Sequence, residues 1–213
     1  MENLGSYVIY IILITGVFGL FFSYKLPNIK AKSILVVIFF SFLTEFLGRN
    51  IPAWTGLKNY IVFNIYILVI FSYYILILRE LYKNIFYKKI SALFLLFFFL
   101  IYFIDLVFMQ NILNEMLTYA FSIAVIFVLI LSSIYLIEIF NSDKVLYFKK
   151  SIYFWFILGV LIFYIPLLPY MIVVKMFLKF SDQILGIVLF SLNLLMYSCF
   201  IIGFICSEKK QNY

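Results

Sequence analysis

Residues 90–140 read ISALFLLFFFLIYFIDLVFMQNILNEMLTYAFSIAVIFVLILSSIYLIEIF, and how this stretch is divided decides the fold. As one helix it would be roughly 75 Å long at 1.5 Å per residue, against a bilayer hydrocarbon core of about 30 Å. Its middle is interrupted by Gln110, Asn111 and Asn114, residue types that favour turns. A turn over 109–114 divides the stretch into two spans, 90–108 and 115–140.

The same reading of apolar runs bounded by charged or Pro/Asn clusters gives five more spans, at 7–24, 33–51, 60–79, 152–174 and 184–206. The expected fold is an all-α integral membrane protein, a seven-transmembrane-helix bundle forming one membrane domain over 1–213. Composition agrees. Hydrophobic residues make up 67% and charged ones 12% of the 213 positions, and mean hydropathy is +1.18, where a soluble domain holds about 25% charged residues. Spans of about 20 residues leave only short connections. The first apolar run, Tyr7 to Tyr24, follows Glu2 with no Lys or Arg before Lys25, so it reads as an uncleaved span rather than a signal peptide.

Orientation follows from the basic residues. Lys25, Lys30, Lys32, Arg79, Lys83, Lys88, Lys89, Lys144, Lys149, Lys150, Lys209 and Lys210 fall after odd-numbered spans; Arg49, Lys58, Lys175 and Lys179 fall on the other side. Positive residues stay inside, which gives N-out/C-in at a cell membrane. The net charge of +7 then belongs to anionic lipid headgroups, and the partner expected first is the lipid bilayer, with no nucleic acid. Oligomeric state is not encoded in any recognisable pattern.

Ionisable and amide side chains at membrane depth are functional-site hypotheses. Glu45 and Arg49 stand at i and i+4 on one helix face, in the favourable order. On the expected orientation Asn64, Asp105, Glu115, Tyr119, Tyr164, Tyr170, Asn193 and Tyr197 join them, most in the outer half, as candidate ligand-binding residues. Pro166 and Pro169 remove two helical donors and are expected to kink or unwind span six, as a hinge or a wall of an outward-facing polar pocket. Glu80 and Glu138 sit beside basic loops and read as solvated charges. Gly16, Gly19 and Gly159 read as close helix-packing positions. Cys199 and Cys206, seven apart on one helix, stand roughly 10 Å apart along its axis, too far for a disulfide.

The sequence contains no histidine. That removes His-based zinc sites, His-ligated haem and His-Glu-x-x-His metalloproteases, so no metal and no cofactor are expected. A retinal Schiff base needs a lysine inside the last span, and 184–206 has none. Three functions remain. The first is a receptor-like or regulatory module that binds a ligand in the outer pocket and signals to a separate cytoplasmic protein. The alternatives are a transporter or channel subunit, whose inner half would offer only Ser132 and Ser133, and a carboxylate-dependent intramembrane hydrolase using Glu45 with Asp105. No catalytic residue is assigned.

Overall fold

A computed structural model of the chain describes residues 4–26, 28–177 and 182–208. Among these, every regular element is helical. The main helices are α1 (Val8–Phe21), α2 (Ile29–Thr55), α3 (Tyr60–Leu81), α4 (Ile85–Ile104), α5 (Thr118–Phe140), α6 (Ile152–Phe177) and α7 (Asp182–Cys206). Seven helical segments are long and apolar enough to cross a membrane. Lys179, Lys209 and Lys210, which entered the orientation argument, lie outside the described residues.

The turn that decided the fold is present, but displaced. α4 passes at Asp105 into a single π turn, Asp105–Met109, and α5 starts only at Thr118. Asn111 builds the turn: its side-chain Oδ1 accepts the Leu113 N–H, and its carbonyl accepts the N–H groups of Asn114 and Glu115. Glu115, expected inside the fifth span, therefore closes the turn and lies exposed ahead of the helix. Span six does not unwind at its prolines. α6 continues as one helix through Pro166 and Pro169, and both prolines are exposed on its surface rather than forming a buried wall.

The chain divides into two compact units. One comprises residues 1–42 and 139–213, with α1, the start of α2, α6 and α7. Glycines let its helices approach. A Cβ on Gly159 would stand 2.8 Å from Phe200 Cε1 and 2.9 Å from the Met196 carbonyl, and one on Gly203 would stand 2.8 Å from Trp155 Cβ. Gly19 opposes Leu35 and Phe204. One end of this unit is clipped by polar contacts. Lys25 Nζ donates to the Ile205 carbonyl (2.6 Å), Tyr153 OH donates to Asn28 Oδ1 (2.8 Å), and Lys150 Nζ pairs with Glu208 Oε1 (2.9 Å). Asn28 Oδ1 also accepts the Ala31 N–H, capping α2.

The second unit is Leu43–Glu138, holding the rest of α2 with α3, α4 and nearly all of α5. Phe71 is its central ring, edge-on to Tyr74, Phe98 and Phe121. α2 ends where Gly56, at φ +71°, donates its N–H to the Pro52 carbonyl; this left-handed position suits glycine. At the end where α3 stops and α4 begins, Glu138 is not a free surface charge. Its Oε1 accepts the N–H groups of Lys83 (3.0 Å) and Asn84 (3.4 Å), satisfying donors ahead of α4. Tyr82 OH donates to the Leu131 carbonyl beside it. Burial, reinforced by the Glu138 charge and Tyr87, pushes the Tyr82 phenol far above its ordinary range.

Candidate functional site

The first turn of a helix leaves backbone N–H groups without partners, and away from water each must find an acceptor. At the start of α5 the acceptors come from distant side chains. Asn64 Oδ1, on α3, accepts the Leu117 N–H at 2.9 Å. Gln110 Oε1 accepts the Thr118 N–H at 2.7 Å. Asp105 Oδ2 accepts the Ala120 N–H at 2.9 Å. Three residues from two elements and a turn thus cap one helix, in place of the usual local Ser, Thr or Asp.

Asn64 does more than cap. Its Nδ2 donates to the carbonyls of Ile112 (3.0 Å) and Glu115 (2.9 Å), and its own backbone carbonyl accepts Tyr102 OH at 3.1 Å. The residue has no solvent exposure. Both donor positions of the amide and its oxygen are engaged by the protein, so Asn64 here pins the 110–117 connection to α3. Asp105 is equally buried. Tyr119, next to the cap, is half exposed. Of the residues singled out in the sequence, Asn64 and Asp105 are thus brought to one place, with Glu115 contributing its backbone carbonyl.

Glu45 and Arg49 form a different kind of feature. Arg49 Nε lies 3.6 Å from Glu45 Oε2, and the two side chains keep 32% and 30% of their exposure, Arg49 first. The i,i+4 pairing expected from the sequence is present, but this is a half-open pair. Pairs with this much exposure contribute roughly 0.2–1 kcal/mol. The neighbouring Ser41 and Thr44 are buried, and Asn59 Nδ2 donates to the Gly48 carbonyl at 3.1 Å, tying the helix to the next connection.

In the other unit, Tyr164 and Tyr197 are buried, at 4% and 3% exposure. Tyr164 lies edge-on to Phe163, and Tyr197 edge-on to Phe200. Asn193 turns its amide back onto its own helix, donating to the Leu189 carbonyl at 2.7 Å. Tyr170 is half-buried on α6. These four occur on two packed helices, and the hydrogen bonds of Asn193 are local.

Two contributors escaped the sequence reading. Gln110 was visible only as a turn residue, and Tyr102 only as one aromatic among many. The available signal was spacing: Asp105 and Gln110 stand five apart, the repeat of the π turn that closes with the Gln110 N–H on the Asp105 carbonyl at 2.9 Å. Among the described residues, no group of three or more Cys, Asp or Glu side chains could hold a metal ion. No known protein family, curated protein or solved structure matches the chain.

Proposed function

We propose that the chain is a multi-pass module of the cell membrane, receptor-like or regulatory in kind, in which the Glu45–Arg49 pair is the contact for a polar ligand. A separate cytoplasmic signalling protein would read the resulting change, because the connections on the lysine-rich side are short. One observation carries the proposal. Asn64 and Gln110 turn their amides, and Asp105 one carboxylate oxygen, onto backbone, whereas the Glu45 and Arg49 side chains keep 30% and 32% of their exposure on a long apolar helix. A charged pair kept at membrane depth without full burial is costly, and an exchangeable polar contact accounts for its retention. On the positive-inside orientation it belongs to the outer half.

The transport alternative requires a polar route through the opposite half. Ser133 there donates to its own helix at Leu129, and Ser132 is fully buried, so neither supports a wetted path. The hydrolase alternative requires Asp105 to act with Glu45, yet Asp105 is held against the α5 backbone.

Thiol accessibility tests the proposal. With Cys199 and Cys206 replaced by Ala, Cys introduced at Glu45 or Arg49 should react with a membrane-impermeant thiol reagent added from outside. Cys at Leu96, an exposed apolar position on α4, should stay silent, because a thiol in hydrocarbon does not ionise. Silence at both 45 and 49 would remove the ligand-contact reading.

A further inference from the structure

The segment containing α4 is the least covered of the seven apolar segments, with 17% of its most apolar stretch buried. Along one face of α4, at alternating spacings of three and four, stand Phe86, Lys89, Leu93, Leu96 and Leu100. The four apolar side chains keep 62%, 49%, 64% and 50% of their exposure, in chain order, and Lys89 is exposed among them. From Lys89 to Leu100 the helix rises roughly 16 Å, the depth of one leaflet in a hydrocarbon core of about 30 Å. A lysine at the end of such a stripe lays its methylenes along the apolar face and keeps its ammonium among the headgroups.

The charge at this end of α4 is one-sided. Lys83 and Lys88 join Lys89 there, the first turn of the helix holds no acidic residue, and none occurs from Leu81 to Ile104. Among the described residues the three lysines have no ion pair. Of the acids closest by, Glu138 engages the Lys83 and Asn84 N–H groups through Oε1, and Glu80 faces Arg79 at 3.8 Å. Lys25 and Lys150 differ: the first donates to the Ile205 carbonyl and the second pairs with Glu208. Three ammonium groups at the positive end of a helix dipole repel one another and the dipole, so an external anion is stabilised there.

We propose that Lys83, Lys88 and Lys89, with the Phe86–Leu100 face of α4, form a binding site for one anionic phospholipid. Its phosphate meets the lysines and an acyl chain lies along the stripe. The site rests on α4 being a membrane span and is independent of the ligand contact at Glu45 and Arg49. Continuity between charge and stripe selects a lipid over a soluble acidic partner, which would reach the lysines but not the Leu93–Leu100 face inside hydrocarbon.

The test uses the full chain in detergent with equimolar phosphatidylglycerol and phosphatidylcholine, and native mass spectrometry to count each lipid retained. The wild type should retain phosphatidylglycerol preferentially. Each Lys→Gln change at 83, 88 or 89 should weaken that lipid roughly fivefold, and the triple variant on the order of a hundredfold. Lys32→Gln and Lys149→Gln, at exposed lysines elsewhere, should leave the preference nearly unchanged. Phe86→Ala should weaken both lipids alike. No preference in the wild type overturns the proposal without any variant having to fold. Equal losses at 32, 149 and 89 would reduce it to diffuse attraction by surface charge and overturn the site. Displacement of the lipid by inorganic phosphate or by polyglutamate would assign the lysines to a soluble anion and overturn the lipid.

Discussion

Asn64→Ala should destabilise the protein more than any other single amide substitution, by several kcal/mol in thermal unfolding in detergent. The variant strips the Ile112 and Glu115 carbonyls and the Leu117 N–H of their side-chain partner at once. Each buried polar group left unpaired costs about 1–3 kcal/mol, against a total stability of about 5–15 kcal/mol for typical proteins. Asn64→Asp should be damaging too. It keeps an acceptor for Leu117 but turns a second oxygen toward two carbonyls that need a donor. Asn193→Ala is the control. Among the described residues its amide bonds to its own helix, one turn back, so its loss should be within about 1 kcal/mol. Equal effects at 64 and 193 would mean that the cap on α5 does not hold the connection.

Gly159→Ala should destabilise the α6–α7 pair despite adding only a methyl group. The added methyl would stand 2.9 Å from the Met196 carbonyl as well as 2.8 Å from Phe200 Cε1. An aromatic edge can swing aside, but a backbone carbonyl moves only if α7 moves with it. Overpacking of this kind costs about 1–3 kcal/mol. Gly16→Ala provides the comparison within the same unit, because its nearest neighbour, Phe39 Cζ, would be 3.4 Å away. There the better helix propensity of alanine, close to 1 kcal/mol, should offset the contact. The difference in unfolding temperature between the two variants measures the α6–α7 approach directly, and indistinguishable values would contradict it.

The seven helices were legible because a helix that meets lipid must be apolar along its length, and that requirement is written continuously in the sequence. The 110–117 connection was legible only as the existence of a turn. Glu115 looked like the first residue of a span because hydropathy cannot see that Asn111 gathers the N–H groups of Asn114 and Glu115. Asn64 and Asp105 stood out as polar residues within apolar runs, but such residues serve two ends: contacting a ligand and satisfying backbone. Periodicity carries no signal that separates them; the distinction appears only when the partners of each oxygen and nitrogen are known. Glu138 illustrates the same limit from the other side. Beside lysines it looked solvated, yet it caps the approach to α4. Pro166 and Pro169 allowed either a kink or an unwound turn, and α6 stays helical through both.

Every assignment of depth, and with it the outward-facing ligand contact, rests on the N-out/C-in arrangement inferred from Lys and Arg. Reporter fusions test that arrangement directly. A reporter active only outside the cytoplasm should work when inserted in the connection between α2 and α3, at Leu57, and be silent when fused after Tyr213, with a cytoplasmic reporter giving the opposite pattern. The reverse result at both positions would place Glu45 and Arg49 in the cytoplasmic half and contradict the proposed function.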